Sequence, residues 1–198
     1  MSELSRRAMI RSIALGLTGA GLLDRAAAQH VHEAAAAERA GSGSYTVKFF
    51  QPHEYRTVQR LAELIVPADD VSGSALEAGA PEFIDLLASH NDELAAIFTG
   101  GLAWLDREME RRHGSRFLDA EPAQRTALLD LIAWRKNDSP ELGPGIRFFE
   151  WARKMTVDAY YTSRAGIEDL GYQGNSAVSE FSVPEEALQY ALKRSGLA

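Results

Sequence analysis

Proline and glycine divide this chain into short stretches of helical apolar periodicity, and that punctuation limits it to a helical fold. Pro52 opens a stretch in which Tyr55, Val58, Leu61, Ala62 and Ile65 recur on one face until Pro67 stops it. Pro81 opens a second, with Phe83, Ile84, Leu86 and Leu87. A third runs from Asp92 to His113 on Leu94, Ile97, Phe98, Leu102, Leu105 and Met109, with Gly114 placed to terminate it. Its Gly100-Gly101 pair costs about 1 kcal/mol per glycine in helix propensity, which predicts a kink or a close approach by another element. A fourth begins at Pro122 and carries Leu128, Leu129, Leu131 and Ile132. Gly143-Pro144-Gly145 reads as the strongest breaker, with a fifth helix from Ile146 to Tyr161 behind it. That helix is apolar or aromatic around much of its circumference, which predicts a central or covered position. A short helix from Pro184 to Lys193 sits in a glycine-containing tail, and no stretch alternates with the period of a strand. The expectation is all-α: one compact, irregular bundle of about five to six helices over residues 45–198, with a loop-rich C-terminal segment.

The first 28 residues have a different character. Ser5-Arg6-Arg7 precedes an apolar run diluted by Gly16, Thr18, Gly19 and Gly21, and Ala26-Ala27-Ala28 follows it. A positive end, an apolar middle and an A-x-A site make the order of an export leader, with cleavage expected between Ala28 and Gln29. The paired arginines mark the twin-arginine type, an address read by a translocase rather than an anchor. At about fourteen residues the run is shorter than the ~18–20 that span a bilayer. The implied destination is the periplasm, reached in the folded state. Residues 29–44 are alanine-rich, lack a stripe of large apolar residues and end in Gly41-Ser42-Gly43-Ser44, so they read as a flexible tether.

The chain carries a net charge of −7, and the leader holds four arginines against two acids, so the remainder stands near −9. Such a domain is unsuited to nucleic acid, whose phosphates call for clustered Lys and Arg. There is no cysteine, which excludes disulfides, thiolate clusters and the attachment motif of a c-type haem. No glycine-rich dinucleotide turn and no nucleophile elbow occurs. Glu110 and His113 have the E-x-x-H spacing of a carboxylate-bridged metal bundle, but such a bundle needs two copies. One copy beside Arg111 and Arg112 at a helix end suits the helix dipole better. His53 and His90 read as helix-end residues, and His30 and His32 as incidental. Trp104, Trp134 and Trp151 sit at helical positions suited to core or interface anchoring. The residues thus assign no catalytic, cofactor or metal site.

Several ordered segments resemble the gluconate 2-dehydrogenase subunit 3 family. They are Phe50 and Glu54, Ile65-Val66-Pro67-Ala68-Asp69, and Glu77-Ala78-Gly79-Ala80-Pro81-Glu82-Phe83-Ile84-Asp85. Phe148-Phe149, Thr156, Tyr160-Tyr161-Thr162-Ser163 and Gly171-Tyr172-Gln173-Gly174-Asn175 continue the series, which spans Phe49 to Asn175. The resemblance implies a non-catalytic small subunit of a periplasmic FAD-dependent sugar or polyol dehydrogenase. FAD would reside in a catalytic partner of the glucose–methanol–choline oxidoreductase type, and haem c in a cytochrome subunit. The small subunit would supply the export signal and support folding of its partner. Aromatic enrichment at interfaces points to Phe148, Trp151, Tyr160, Tyr161, Gly171, Tyr172, Gly174 and Asn175 as the partner-binding surface. The alternative is an independent periplasmic helical protein that binds a metal or a sugar.

Overall fold

The computed structural model describes residues 25–171 and 183–195. In chain order its helices are α1 (Arg25–Ser42), α2 (Pro52–Ile65), α3 (Ala80–Ala88), α4 (Asp92–His113) and α5 (Pro122–Ile132). A 3₁₀ turn at Arg135–Asn137 precedes α6 (Gly143–Thr162), α7 (Arg164–Asp169) and α8 (Glu185–Ser195). No strand occurs among the described residues. The protein is all-α, with α1 and α7 additional to the helices expected.

Local chemistry sets most of the helix ends. Proline stands in the first turn of α2, α3, α5 and α6, where its missing N–H has no intrahelical partner to lose. Glu54 accepts from the Gln51 amide at 2.8 Å, and the Asn91 side chain accepts from the Leu94 amide at 2.8 Å. Gly114 closes α4 with φ 74°. Gly143-Pro144-Gly145 does not break the chain: it forms the first turn of α6. Proline tolerates that position, and the glycines serve packing there.

Helix α6 is the hub, in contact with α1 to α5 and with α7. Its closest neighbour is α4, and the two pack antiparallel through paired notches. A Cβ on Gly101 would collide with the Phe148 ring, and one on Gly145 would collide with the Trp104 ring. Each helix therefore offers a glycine to the other's aromatic side chain, which accounts for one member of the Gly100-Gly101 pair by close approach. Phe148 meets Phe98 edge-to-face at 5.8 Å, and Phe98 meets Phe50 at 5.8 Å.

The segment leading into α2 is organised by one buried carboxylate. Asp85, 0% exposed, accepts from the Tyr45 hydroxyl (2.8 Å) and from the amides of Lys48 (2.7 Å), Phe49 (3.0 Å) and Phe50 (3.0 Å). These bonds hold the loop over α3 and deliver Phe50 to the core. Burying a carboxylate is tolerable only when its oxygens are satisfied in this way. Burial, with the Asp85 carboxylate beside it, pushes the Tyr45 hydroxyl pKa far up.

The expected tether is instead the docked helix α1. Ala28, Val31 and Ala35 are buried on one face. The His32 ring lies 4.8 Å from the Phe83 ring, and its Nε2 is 3.1 Å from Thr162 Oγ1 on α6. Glu38 pairs with Lys48 at 2.6 Å, and Arg39 with Glu82 at 3.7 Å. Small residues let the helix approach closely, so a stripe of large ones is not needed.

Candidate partner-binding surface

Only part of the surface expected from the aromatic residues faces outward. Phe148 (2% exposed) and Tyr160 (1%) are core residues. Phe148 fills the Gly101 notch, and Tyr160 lies beneath Tyr161 with ring centroids 5.0 Å apart. Both are removed from any partner by their own chain. Tyr161 is 40% exposed, Trp151 is half-buried and Gly171 is exposed with φ 60°. Tyr172, Gly174 and Asn175 lie outside the described residues, as do Ser5, Arg6 and Arg7. Ala28 and Gln29 fall within α1.

Trp151 belongs to a cationic aromatic face where the end of α5 meets α6. Asn137 Nδ2 donates to the Leu131 carbonyl at 2.8 Å and fixes the turn after α5. That turn leaves Trp134 59% exposed, with Lys136 Nζ 5.6 Å from its ring centroid. Arg135 reaches α6 and donates twice to Glu150, through Nε and through Nη2 at 3.0 Å. This hydrogen bond, with the guanidinium charge, lowers the Glu150 carboxyl pKa. One turn on, Lys154 Nζ lies 5.0 Å from the Trp151 ring centroid. Arg135, Glu150, Trp151, Arg153 and Lys154 line an open depression of 380 Å³. Three cations against one acid make it locally positive on a chain whose net charge is −7.

That chemistry suits recognition of an acidic surface, since tryptophan and arginine carry much of the energy at protein interfaces. Sequence reasoning included Trp151 but passed over Arg135, Arg153 and Lys154, and left Trp134 open between core and interface. The signal for Trp134 and Arg135 was the run Trp134-Arg135-Lys136 beyond the last large apolar residue of α5.

Most of the residues with metal or acid–base potential have structural partners. Glu110 pairs with Arg116 at 3.1 Å, and His113 is exposed. His53 Nε2 contacts Asp106 at 2.5 Å, while the other Asp106 oxygen accepts from the Phe117 amide at 3.1 Å. The pair ties α2 to α4 and to the loop after it. His90 Nδ1 lies 2.7 Å from the Ser89 hydroxyl and 3.0 Å from the Leu86 carbonyl at the end of α3. Glu108 is clamped by Arg111 and Arg112, whose hydrogen bonds lower its carboxyl to about 2 against the cost of burial. Among the described residues no group of three or more His, Asp or Glu side chains could hold a metal. Nor do they provide the strand, glycine-rich turn and helix of the doubly-wound dinucleotide-binding fold.

Comparison with curated proteins and with solved structures finds no match. Residues 52–179, from the start of α2 to beyond α7, match the family described as gluconate 2-dehydrogenase subunit 3, and the chain belongs to that family of dehydrogenase-complex subunits.

Proposed function

We propose that this chain is the non-catalytic escort subunit of a periplasmic FAD-dependent sugar or polyol dehydrogenase. It binds a folded, flavin-loaded catalytic subunit of the glucose–methanol–choline oxidoreductase type in the cytoplasm. The twin-arginine translocase then reads Ser5-Arg6-Arg7 and carries both chains out, and a cytochrome c subunit accepts the electrons on the far side. The observation that carries this reading is the joining, in one chain, of a dehydrogenase-subunit family match and the Ser5-Arg6-Arg7 motif ahead of an apolar run. Support comes from the exposed Trp134 and the cationic depression beside Trp151, a surface chemistry suited to protein contact.

Two measurements test it. Changing Arg6 and Arg7 to lysine should strand the catalytic subunit's activity in the cytoplasm; full periplasmic activity from that strain would overturn the export role. Trp134→Ala with Arg153→Glu should abolish co-purification of the catalytic subunit while leaving the chain's own melting transition in place. Undiminished co-purification would move the interface elsewhere.

A further inference from the structure

The expected cleavage bond, Ala28–Gln29, lies inside α1 rather than in an exposed linker. Ala28 and Val31 are 0% exposed and Ala35 is 2% exposed, so the face that carries this bond is part of the core. Four contacts hold it there: His32 against Phe83, His32 to Thr162, Glu38 to Lys48 and Arg39 to Glu82. A peptidase needs its substrate backbone extended and accessible. Reaching that state here means breaking the first turns of the helix and lifting Ala28 and Val31 out of the core. Proteolysis of a bond in ordered structure proceeds through such openings and slows with their rarity.

We infer that the Ala28–Gln29 bond is closed in the folded chain, and that the leader stays attached after export instead of being removed there. The inference rests on the export reading for its consequence: a chain that crosses the membrane folded arrives with this bond already shut. The subunit then keeps its arginine pair and apolar run joined to the complex after transport. α1 is thereby a permanent structural helix of the domain, although the family match begins only at residue 52.

The test uses the full-length chain and elastase, which cuts after small residues such as alanine. In native buffer, cleavage between Ala28 and Gln29 should be about tenfold slower than in Val31→Asp, whose buried charge undocks α1. Should Val31→Asp fail to fold, His32→Ala and the wild-type chain in urea provide the undocked reference. Intact mass of the exported chain should account for the leader. A wild-type chain cut as fast as the undocked one, or an exported product beginning at Gln29, would overturn the inference. A chain that never reaches the periplasm removes the export reading, and the elastase rates still decide whether the bond is closed.

Discussion

Helices α1 and α8 sit near the two ends of the described chain and invert the usual link between apolar pattern and burial. α1 is an alanine-rich stretch without large apolar residues at regular spacing, yet Ala28, Val31 and Ala35 are buried and its polar side chains reach α3, α6 and the loop before α2. α8 has the more strongly amphipathic sequence, with Leu188 and Tyr190, and buries none of its residues; these two are 42% and 64% exposed. The difference teaches that helix docking depends on a complementary neighbour as much as on apolar content. Alanine allows close approach, and hydrogen bonds and ion pairs then fix the register. A leucine pair that meets no neighbour among the described residues remains on the surface.

Four measurements separate the docked helix from the exposed one. The largest effect is expected at Asp85, which shapes the path from α1 into α2: Asp85→Ala leaves one hydroxyl and three amides without their acceptor. A loss of about 4 kcal/mol in denaturant unfolding is expected, and a loss below about 1 kcal/mol would show that the loop is held by its apolar contacts instead. Next, Val31→Asp should cost about 3 kcal/mol by placing a charge in the α1 interface. A near-zero effect would return α1 to the role of tether.

The third is a pH dependence centred on His32. Burial lowers its pKa from 6.5 to about 4, although a backbone hydrogen bond at Ala159 opposes the shift. The unfolded chain therefore binds a proton between those values that the folded chain does not, so stability falls as pH drops from 6.5 towards 4. The loss across that window should be about 2 kcal/mol, allowing for the water that reaches part of the ring, and His32→Phe should abolish most of it. An unchanged pH profile in that variant would assign the dependence to other groups. The smallest effect belongs to α8, where Leu188→Asp should shift stability by less than about 0.5 kcal/mol. A loss comparable to Val31→Asp would reveal a covered face on that helix.

Much of the bundle was legible from local rules. The prolines at 52, 81 and 122 and Gly114 set helix boundaries through groups a few residues apart, so sequence reading places α2 to α5 closely. The same reading mistook Gly143-Pro144-Gly145 for a loop, because local propensity omits the Trp104 ring that requires glycine at position 145. It placed Phe148 and Tyr160 on a partner surface, because aromatic content does not distinguish a core from an interface. It passed over Arg135, on the turn after α5, and Arg153 and Lys154 on α6, which come together only when that turn folds towards α6.

Periodicity and punctuation by themselves determined that this protein is helical and where α2 to α5 lie, and its composition that it carries no cysteine chemistry. Residues 1–28 contributed the proposed export address. Tertiary structure alone decided that the alanine-rich segment docks, that Asp85 is buried among four donors, and which tryptophan faces outward. The physical reason is range: caps and breakers act over three or four residues. Burial and charge clustering instead depend on which elements meet, as when Gly101 of α4 receives Phe148 of α6.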